Sequence, residues 1–214
     1  MEDFFRNAFS YFGNSSSNRP ENDFIGQNVE VGTRMLRVKR LIAEGGYGTV
    51  FEAVDQSKGQ HYALKRLLAH DEETSKSIIR EIEIIKKLSG HPNIITFVSA
   101  ASVGKEKSRH IGAEFLIVTE FCRGGQLTDH LPAPRQGILL SHSLILQIMH
   151  QISSAVQHMH QQSPPIIHRD LKMENLLLTD SFILKLCDYG SASTKTFSPD
   201  PTWSALQRSR VQEE

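Results

Sequence analysis

The feature that most constrains this chain is a polar stretch, residues 168–175, which reads His-Arg-Asp-Leu-Lys-Met-Glu-Asn. A short, mostly apolar run at 183–186 follows, and Asp188-Tyr189-Gly190 comes one residue after it. Carboxylate and amide oxygens are the ligands that hard divalent cations prefer. The two segments therefore predict a fold that brings two polar loops together at one site.

The residue types in these loops match the needs of phosphoryl transfer, which depends mainly on positioning and on charge neutralisation. Asp170 is placed to orient an attacking hydroxyl, and Lys172 to reach the transferred phosphate as a point charge. Asn175 and Asp188 are candidate magnesium ligands. The histidine and arginine before Asp170 are expected to organise the loop rather than to react.

A lysine in an otherwise apolar stretch marks a second part of the site. Lys65 ends the sequence Tyr-Ala-Leu-Lys, where a buried ammonium is costly unless an acidic partner compensates it. Glu81, on the helix that follows, is the favoured partner, and Glu83 is the alternative. Upstream, glycines 45, 46 and 48 form a turn whose backbone N–H groups can approach phosphates, although glycine-rich hairpins are common.

The hydrophobic pattern changes along the chain from the alternation of strands to the spacing of helices. Five strands are predicted in the first half, at 34–43, 49–54, 61–67, 94–100 and 115–121. A helix is predicted at 71–88, with Ile78, Ile82, Ile85 and Leu88 on its buried face. A core helix at 141–160, with Ser141 as its N-cap, precedes two short strands at 176–178 and 183–186.

This ordered set of motifs resembles the eukaryotic protein kinases. Lys172 is typical of the serine/threonine class. Several stretches resemble the Numb-associated kinase family more closely, namely 42–48, 63–68, 86–94, 99–105 and 155–160. The chain departs from the kinase pattern at Ala43, where most kinases have the first loop glycine, and at Tyr189, which replaces phenylalanine.

The resemblance implies an α+β, protein-kinase-like fold: a five-stranded antiparallel N-lobe with one helix, and a partial, mainly helical C-lobe. The expected divisions are a tail and linker at 1–23, the N-lobe at 24–121 and the C-lobe at 122–214. It implies that Asp170, Lys172, Lys65 and Glu81 are catalytic, and that Asn175 and Asp188 bind Mg²⁺. The residues it places around ATP are Ala43, Glu44, Gly45, Gly46, Gly48, Val50, Ala63, Lys65, Thr119, Glu120, Cys122, Leu177 and Cys187.

The function that the resemblance implies is ATP-dependent phosphorylation of protein serine or threonine, with clathrin-adaptor subunits and vesicle traffic as the expected setting. No Ala-Pro-Glu sequence follows Gly190 before Glu214, so the large lobe is expected to end within the activation segment. This leaves an alternative: a truncated kinase that binds ATP without catalysis, acting as an interaction module or being an incomplete product.

Composition limits the possible partners. Lys+Arg and Asp+Glu balance at 24 each, which gives no argument for a nucleic-acid partner. No apolar run is long enough for a membrane span, and two cysteines make no disulfide framework, so a cytoplasmic protein is expected. The family resemblance implies association with vesicles or the Golgi. Phe5, Phe9 and Phe12 give residues 1–12 an amphipathic pattern that suits a weak membrane or partner contact, or else a frayed tail.

Overall fold

The computed structural model describes residues 24–45, 48–103, 112–131, 141–197 and 202–212. Its strands are β1 Asn28–Val31, β2 Arg34–Gly45, β3 Gly48–Asp55, β4 His61–Ala69, β5 Phe97–Val103, β6 Ala113–Glu120, β7 Gly125–Gln126, β8 Leu176–Leu178 and β9 Leu184–Leu186. Its α-helices are α1 Glu72–Leu88, α2 His142–His160 and α3 Ala205–Gln212, and its 3-10 turns are Leu127–His130 and Met173–Asn175.

Within the described ranges, the first sheet has six antiparallel strands in the order β1-β2-β3-β4-β6-β5, so the prediction of five strands was wrong by one. The missed strand is β1, which is only four residues long and pairs with β2 through a tight turn between Val31 and Arg34. Gly32 in that turn has a φ of +66°, a conformation that glycine adopts without strain. Val29 and Val31 are buried, and their burial holds the short strand against the core.

Helix α1 follows the predicted pattern closely. Its N-cap is Asp71, whose side chain accepts a hydrogen bond from the backbone N of Thr74 at 2.7 Å. The predicted buried face is confirmed, because Ile78, Ile82, Ile85 and Leu88 are all buried, together with Ile84. This packing against the sheet places Glu81 at the edge of the buried face.

Residues 93–96, here named the interlobe segment, join the two sheets. Leu186 N donates to Asn93 O at 2.9 Å, and Ile95 N donates to Leu186 O at 3.0 Å. The segment also reaches the first sheet, since Glu120 N donates to Thr96 O at 3.0 Å. The prediction that β5 begins at residue 94 was therefore wrong: Ile94 and Ile95 are buried by pairing with the second sheet, and β5 begins at Phe97.

The second sheet, in the order β7-β8-β9, packs with α2 around a separate core cluster. Ser141 caps α2, as predicted, by accepting a hydrogen bond from Leu144 N at 3.2 Å. The prediction of a core helix holds only for the second half of α2, where Ala155 and Met159 lie in the core. Its first turns expose four large apolar side chains: Leu144, Ile145, Leu146 and Met149.

Some sequence predictions fall on residues outside the described ranges. These are the tail and linker at 1–23, including the amphipathic phenylalanines, and Gly46 in the glycine-rich turn. Helix α3 was not predicted. None of the helices in the described ranges is long and apolar enough to cross a membrane.

The glycine-rich hairpin makes a testable distinction between two of its glycines. A Cβ on Gly48 would lie 2.4 Å from Arg66 O, and the φ of Gly48 is +115°. A Cβ on Gly45 would meet no atom of the described residues within 4 Å. We expect Gly48→Ala to lower the free energy of unfolding by about 2 kcal/mol, because clash and backbone strain add. Gly45→Ala is the matched control and should leave chemical denaturation almost unchanged. Equal stability of the two variants would contradict this account of the hairpin.

Candidate active site

The ammonium group of Lys65 is the centre of the site. From β4, Lys65 Nζ lies 2.8 Å from Glu81 Oε1 on α1 and 3.2 Å from Asp188 Oδ1 after β9. Burial disfavours the charged ammonium, but Glu81 and Asp188 together raise the pKa of Lys65 above its ordinary value. Of the two predicted partners, the structure selects Glu81, while Glu83 points to the exposed side of α1.

One face of the first sheet gathers the residues predicted to surround a nucleotide base. Val50 on β3 pairs directly with Lys65, and Thr119 on β6 pairs directly with Ala63. Directly paired residues point to the same face, and Ala63 and Lys65 share a face because they are two apart on one strand. Lys65 therefore projects from the same face as Val50, Ala63 and Thr119.

The glycine-rich turn lies at the end of the β2–β3 hairpin, next to Val50. Ala43 pairs with Val50, Glu44 with Thr49 and Gly45 with Gly48, so the predicted residues lie on the β2–β3 turn beside Val50. Ala43, Glu44 and Gly45 are exposed. Backbone N–H groups at such a turn can approach an anionic ligand without a side chain in the way.

The 168–175 loop holds its three predicted residues together. Lys172 Nζ lies 2.7 Å from Asp170 Oδ2, and Asn175 Nδ2 donates to Asp170 O at 2.8 Å and to Asp170 Oδ2 at 3.1 Å. The hydrogen bond from Lys172, with that from Asn175, lowers the pKa of the Asp170 carboxyl although burial opposes the change. Asp170 is therefore an ionised acceptor, as a residue that orients a hydroxyl must be.

His168 connects this loop to the segment that carries Asp188. It is almost fully buried; its Nδ1 accepts from Asp170 N at 3.3 Å, and its Nε2 contacts Cys187 O at 3.1 Å. These two contacts require the neutral tautomer with the proton on Nε2. Burial lowers the pKa of His168, in agreement with that tautomer. Arg169 Nε donates to Ser191 O at 2.6 Å, so both residues organise the loops, as predicted.

Asp188 is held in an unusual backbone conformation, with a φ of +64°. Cys187 N, one residue earlier, donates to Asn175 O at 3.0 Å, which brings the two predicted magnesium ligands to adjacent chain segments. Strained residues persist where the surroundings fix them, and they cluster at functional sites. The next residue, Tyr189, is buried with its hydroxyl donating to Leu186 O at 2.9 Å, so its replacement of phenylalanine leaves no orphaned polar group.

Cys122, Leu177 and Cys187 line the second core cluster beneath the site. Burial raises the pKa of both thiols to about 12. Both cysteines are therefore protonated packing residues near neutral pH rather than nucleophiles. Leu177 on β8 pairs with Lys185 on β9, and Lys185 lies three residues before Asp188.

The side chain of Glu120 has a partner that the sequence did not reveal. Glu120 Oε1 accepts from Thr96 and forms an ion pair with Lys185 Nζ at 2.9 Å. Its predicted contribution to a nucleotide site therefore rests on its backbone, at the end of β6. In the sequence, Lys185 lies in a short apolar strand, as Lys65 lies in a largely apolar one, and the same pattern could have indicated an acidic partner.

The donor set fits Mg²⁺ held jointly with a phosphate ligand. Asn175 uses its amide nitrogen on Asp170, which leaves its side-chain oxygen as the group able to ligate a cation. Across the described ranges, no group of three or more His, Cys, Asp or Glu residues could hold a metal ion by itself. Mg²⁺ commonly takes one or two protein oxygens and completes its shell with phosphates and water.

Comparison with known proteins decides the family. The protein kinase domain matches residues 36–207, which include every residue of the site just described. The chain belongs to the protein kinase domain family. This confirms the α+β protein-kinase fold that the motifs predicted.

Curated relatives of this kinase domain are named serine/threonine-protein kinases, which confirms the predicted class. A probable serine/threonine-protein kinase of Dictyostelium discoideum is 39% identical over 170 residues, 78% of this chain and 15% of the relative. A second from that organism is 33% identical over 209 residues, 97% of this chain and 25% of the relative. One from Schizosaccharomyces pombe is 36% identical over 168 residues, 78% of this chain and 17% of the relative. The chain thus spans a quarter or less of the length of these relatives.

The neutral state of His168 predicts how this kinase domain responds to acid. Its folded pKa lies below the ordinary value of 6.5, so the unfolded chain takes up a proton first as the pH falls through that value. We expect stability to decrease from pH 7.5 to pH 5, and His168→Phe to lose part of this dependence. Histidine NMR titration of the folded protein checks the cause. A His168 pKa at or above 6.5 would contradict it.

Proposed function

We propose that this kinase domain catalyses transfer of the γ-phosphoryl group of ATP to serine or threonine hydroxyls of proteins. The observation that carries the proposal is the position of Lys65, which bridges Glu81 and Asp188. Asp188 adjoins the loop in which Lys172 and Asn175 contact Asp170. These contacts support the proposed roles of Lys65 as the phosphate-binding cation, of Asn175 and Asp188 as the metal ligands and of Asp170 as the base.

Each residue has a distinct role in the proposed reaction. Glu81 orients Lys65 towards the α- and β-phosphates, and Asp170 positions the attacking hydroxyl. The hydroxyl oxygen bonds to the γ-phosphorus as the bond to the oxygen of the leaving ADP breaks, and the hydroxyl proton passes to Asp170. Lys172 offsets negative charge on the transferred group. Mg²⁺, held by Asn175 and Asp188, would neutralise charge on the phosphates.

The adenine end of the nucleotide is proposed to lie on the shared face of the first sheet. Val50, Ala63 and Leu177 are half-buried apolar groups suited to the faces of a planar base. Thr119 precedes residues 120–122, here named the hinge, whose backbone N–H and C=O groups can read the adenine edge. The hinge directly continues β6, so its position is fixed by the sheet.

We also propose a finer assignment to the Numb-associated kinases, with a particular resemblance to the kinase domain of cyclin-G-associated (auxilin-like) kinase. It is supported by the five stretches of sequence described above, of which 86–94 includes part of the interlobe segment. The proposed substrates are clathrin-adaptor subunits, in the cytoplasm at vesicles or the Golgi.

We expect this kinase domain to phosphorylate purified adaptor subunits faster than a generic basic protein. Equal rates on both substrates would argue against the proposed substrate class.

A second candidate function is that of an interaction module that binds ATP without transferring its γ-phosphate. It is favoured by the exposed apolar side chains of the first turns of α2, a surface suited to contact with another polypeptide. Mg·ATP would raise the melting temperature under both readings, but only a kinase would release ADP. Binding without turnover therefore selects the module.

Phosphotransfer from ATP labelled at the γ-phosphate tests the principal proposal. We expect Asp170→Asn and Asp188→Asn each to lower kcat by about 100-fold or more, because each removes a group acting on the transferred phosphoryl or the hydroxyl. Glu81→Gln should weaken activity, whereas Glu83→Gln, a change of the same kind on the exposed side of α1, should not. Activity of Asp188→Asn equal to that of the unchanged chain would refute the assigned roles.

A further inference from the structure

Three hydrogen-bond donors converge on a single oxygen of Glu120. Glu120 Oε1 accepts from Thr96 N at 2.7 Å and from Thr96 Oγ1 at 2.6 Å, and lies 2.9 Å from Lys185 Nζ. The side chains of Lys185 and Glu120 are only 11% and 28% exposed. Burial disfavours ionisation of Glu120, but hydrogen bonds from Thr96 and Lys185 still lower the pKa of its carboxyl. The contact is thus a charged, partly buried ion pair.

The two partners belong to two chain segments that would meet opposite ends of the nucleotide. Glu120 is the last residue of β6 and the first of the hinge, where the adenine edge would be read. Lys185 is the middle residue of β9, three positions before Asp188 at the phosphate end. The interlobe segment lies between them, pairing its backbone with Leu186 on one side and Glu120 on the other. The ion pair therefore connects the end of β6 to β9, two segments that backbone hydrogen bonds of the interlobe segment also connect.

We propose that the Lys185–Glu120 ion pair is a positioning element that sets the distance between the hinge and Asp188, so that one nucleotide can engage both. The inference rests on the proposed function, because it concerns the same nucleotide site. Neither side chain needs to touch the nucleotide. Lys185 acts through the strand that ends at Asp188, and Glu120 acts through the hinge backbone.

A consequence separates this role from a general contribution to stability. Adenosine contacts only the hinge end of the site, whereas Mg·ATP must reach both the hinge and Asp188. Loss of the ion pair should therefore weaken binding of Mg·ATP and leave binding of adenosine almost unchanged. A merely structural role would lower the melting temperature without altering the ratio of the two affinities.

The test is calorimetric titration of adenosine and of Mg·ATP into four variants of the full chain: Lys185→Met, Glu120→Gln, their combination, and Lys185→Arg. We expect each of the first two to raise the dissociation constant of Mg·ATP about fivefold, the size of a modest pair interaction. The double variant should lose no more than either single one, because both break the same contact. Lys185→Arg keeps the charge and should restore most of the affinity.

Glu114→Gln is the matched control. Glu114 forms a similarly buried ion pair with Arg66, at 2.6 Å, but within the first sheet and away from β9. It should lower the melting temperature while leaving the ratio of adenosine to Mg·ATP affinity unchanged.

The outcomes distinguish the two proposals. If the unchanged chain binds no Mg·ATP, the proposed function fails and this inference fails with it. If the unchanged chain binds Mg·ATP but Lys185→Met and Glu120→Gln keep its ratio of affinities, only the positioning role is overturned. A folding defect in one variant leaves the other to decide, since each removes the ion pair from a different side.

Discussion

The structure depends most on one largely buried ammonium group, that of Lys65. Its contacts with Glu81 and Asp188 join β4, α1 and the segment after β9. A charge in such a setting is costly unless it is paired, so each contact requires the others to stay in place. Helix α1 can supply Glu81 only because its isoleucines fix its rotation on the sheet, and Asp188 is supplied only because β9 is anchored. The chemistry and the packing are therefore two consequences of the same arrangement.

The anchoring of β9 depends on the interlobe segment. By pairing with Leu186 and with Glu120, residues 93–96 make the two sheets continuous through backbone hydrogen bonds. His168 adds a second connection, from the 168–175 loop to Cys187 O, through a neutral imidazole. The two residues before Asp188, Leu186 and Cys187, are thus held by hydrogen bonds to the interlobe segment and to His168. These bonds explain how the left-handed backbone conformation of Asp188 is maintained. Preorganisation of this kind is what charge stabilisation in phosphoryl transfer requires.

Much of the site was predictable because its residues violate the local pattern. Lys65 stands in an apolar strand, and the density of polar groups at 168–175 is difficult to explain as a simple turn, so both pointed to long-range partners. Lys185 also stands between apolar residues, which indicates an acidic partner. The strand that carries it has only three residues, however, so the local pattern is too short to make the lysine stand out. The wrong start of β5 and the missed β1 have different causes. Ile94 forms a bridge with Leu186, a long-range pairing that a local pattern does not contain. Strand β1 pairs with the neighbouring strand β2, but its four residues give little alternation to recognise.

The central claim is that Lys65, Asp188 and Asn175 form one phosphate and metal site. Calorimetric titration of ATP with and without Mg²⁺, into the unchanged chain and into Asp188→Asn, tests it most directly. We predict that Mg²⁺ strengthens ATP binding to the unchanged chain and that Asp188→Asn removes most of this gain. Absence of ATP binding, or full retention of the Mg²⁺ effect in Asp188→Asn, would contradict it.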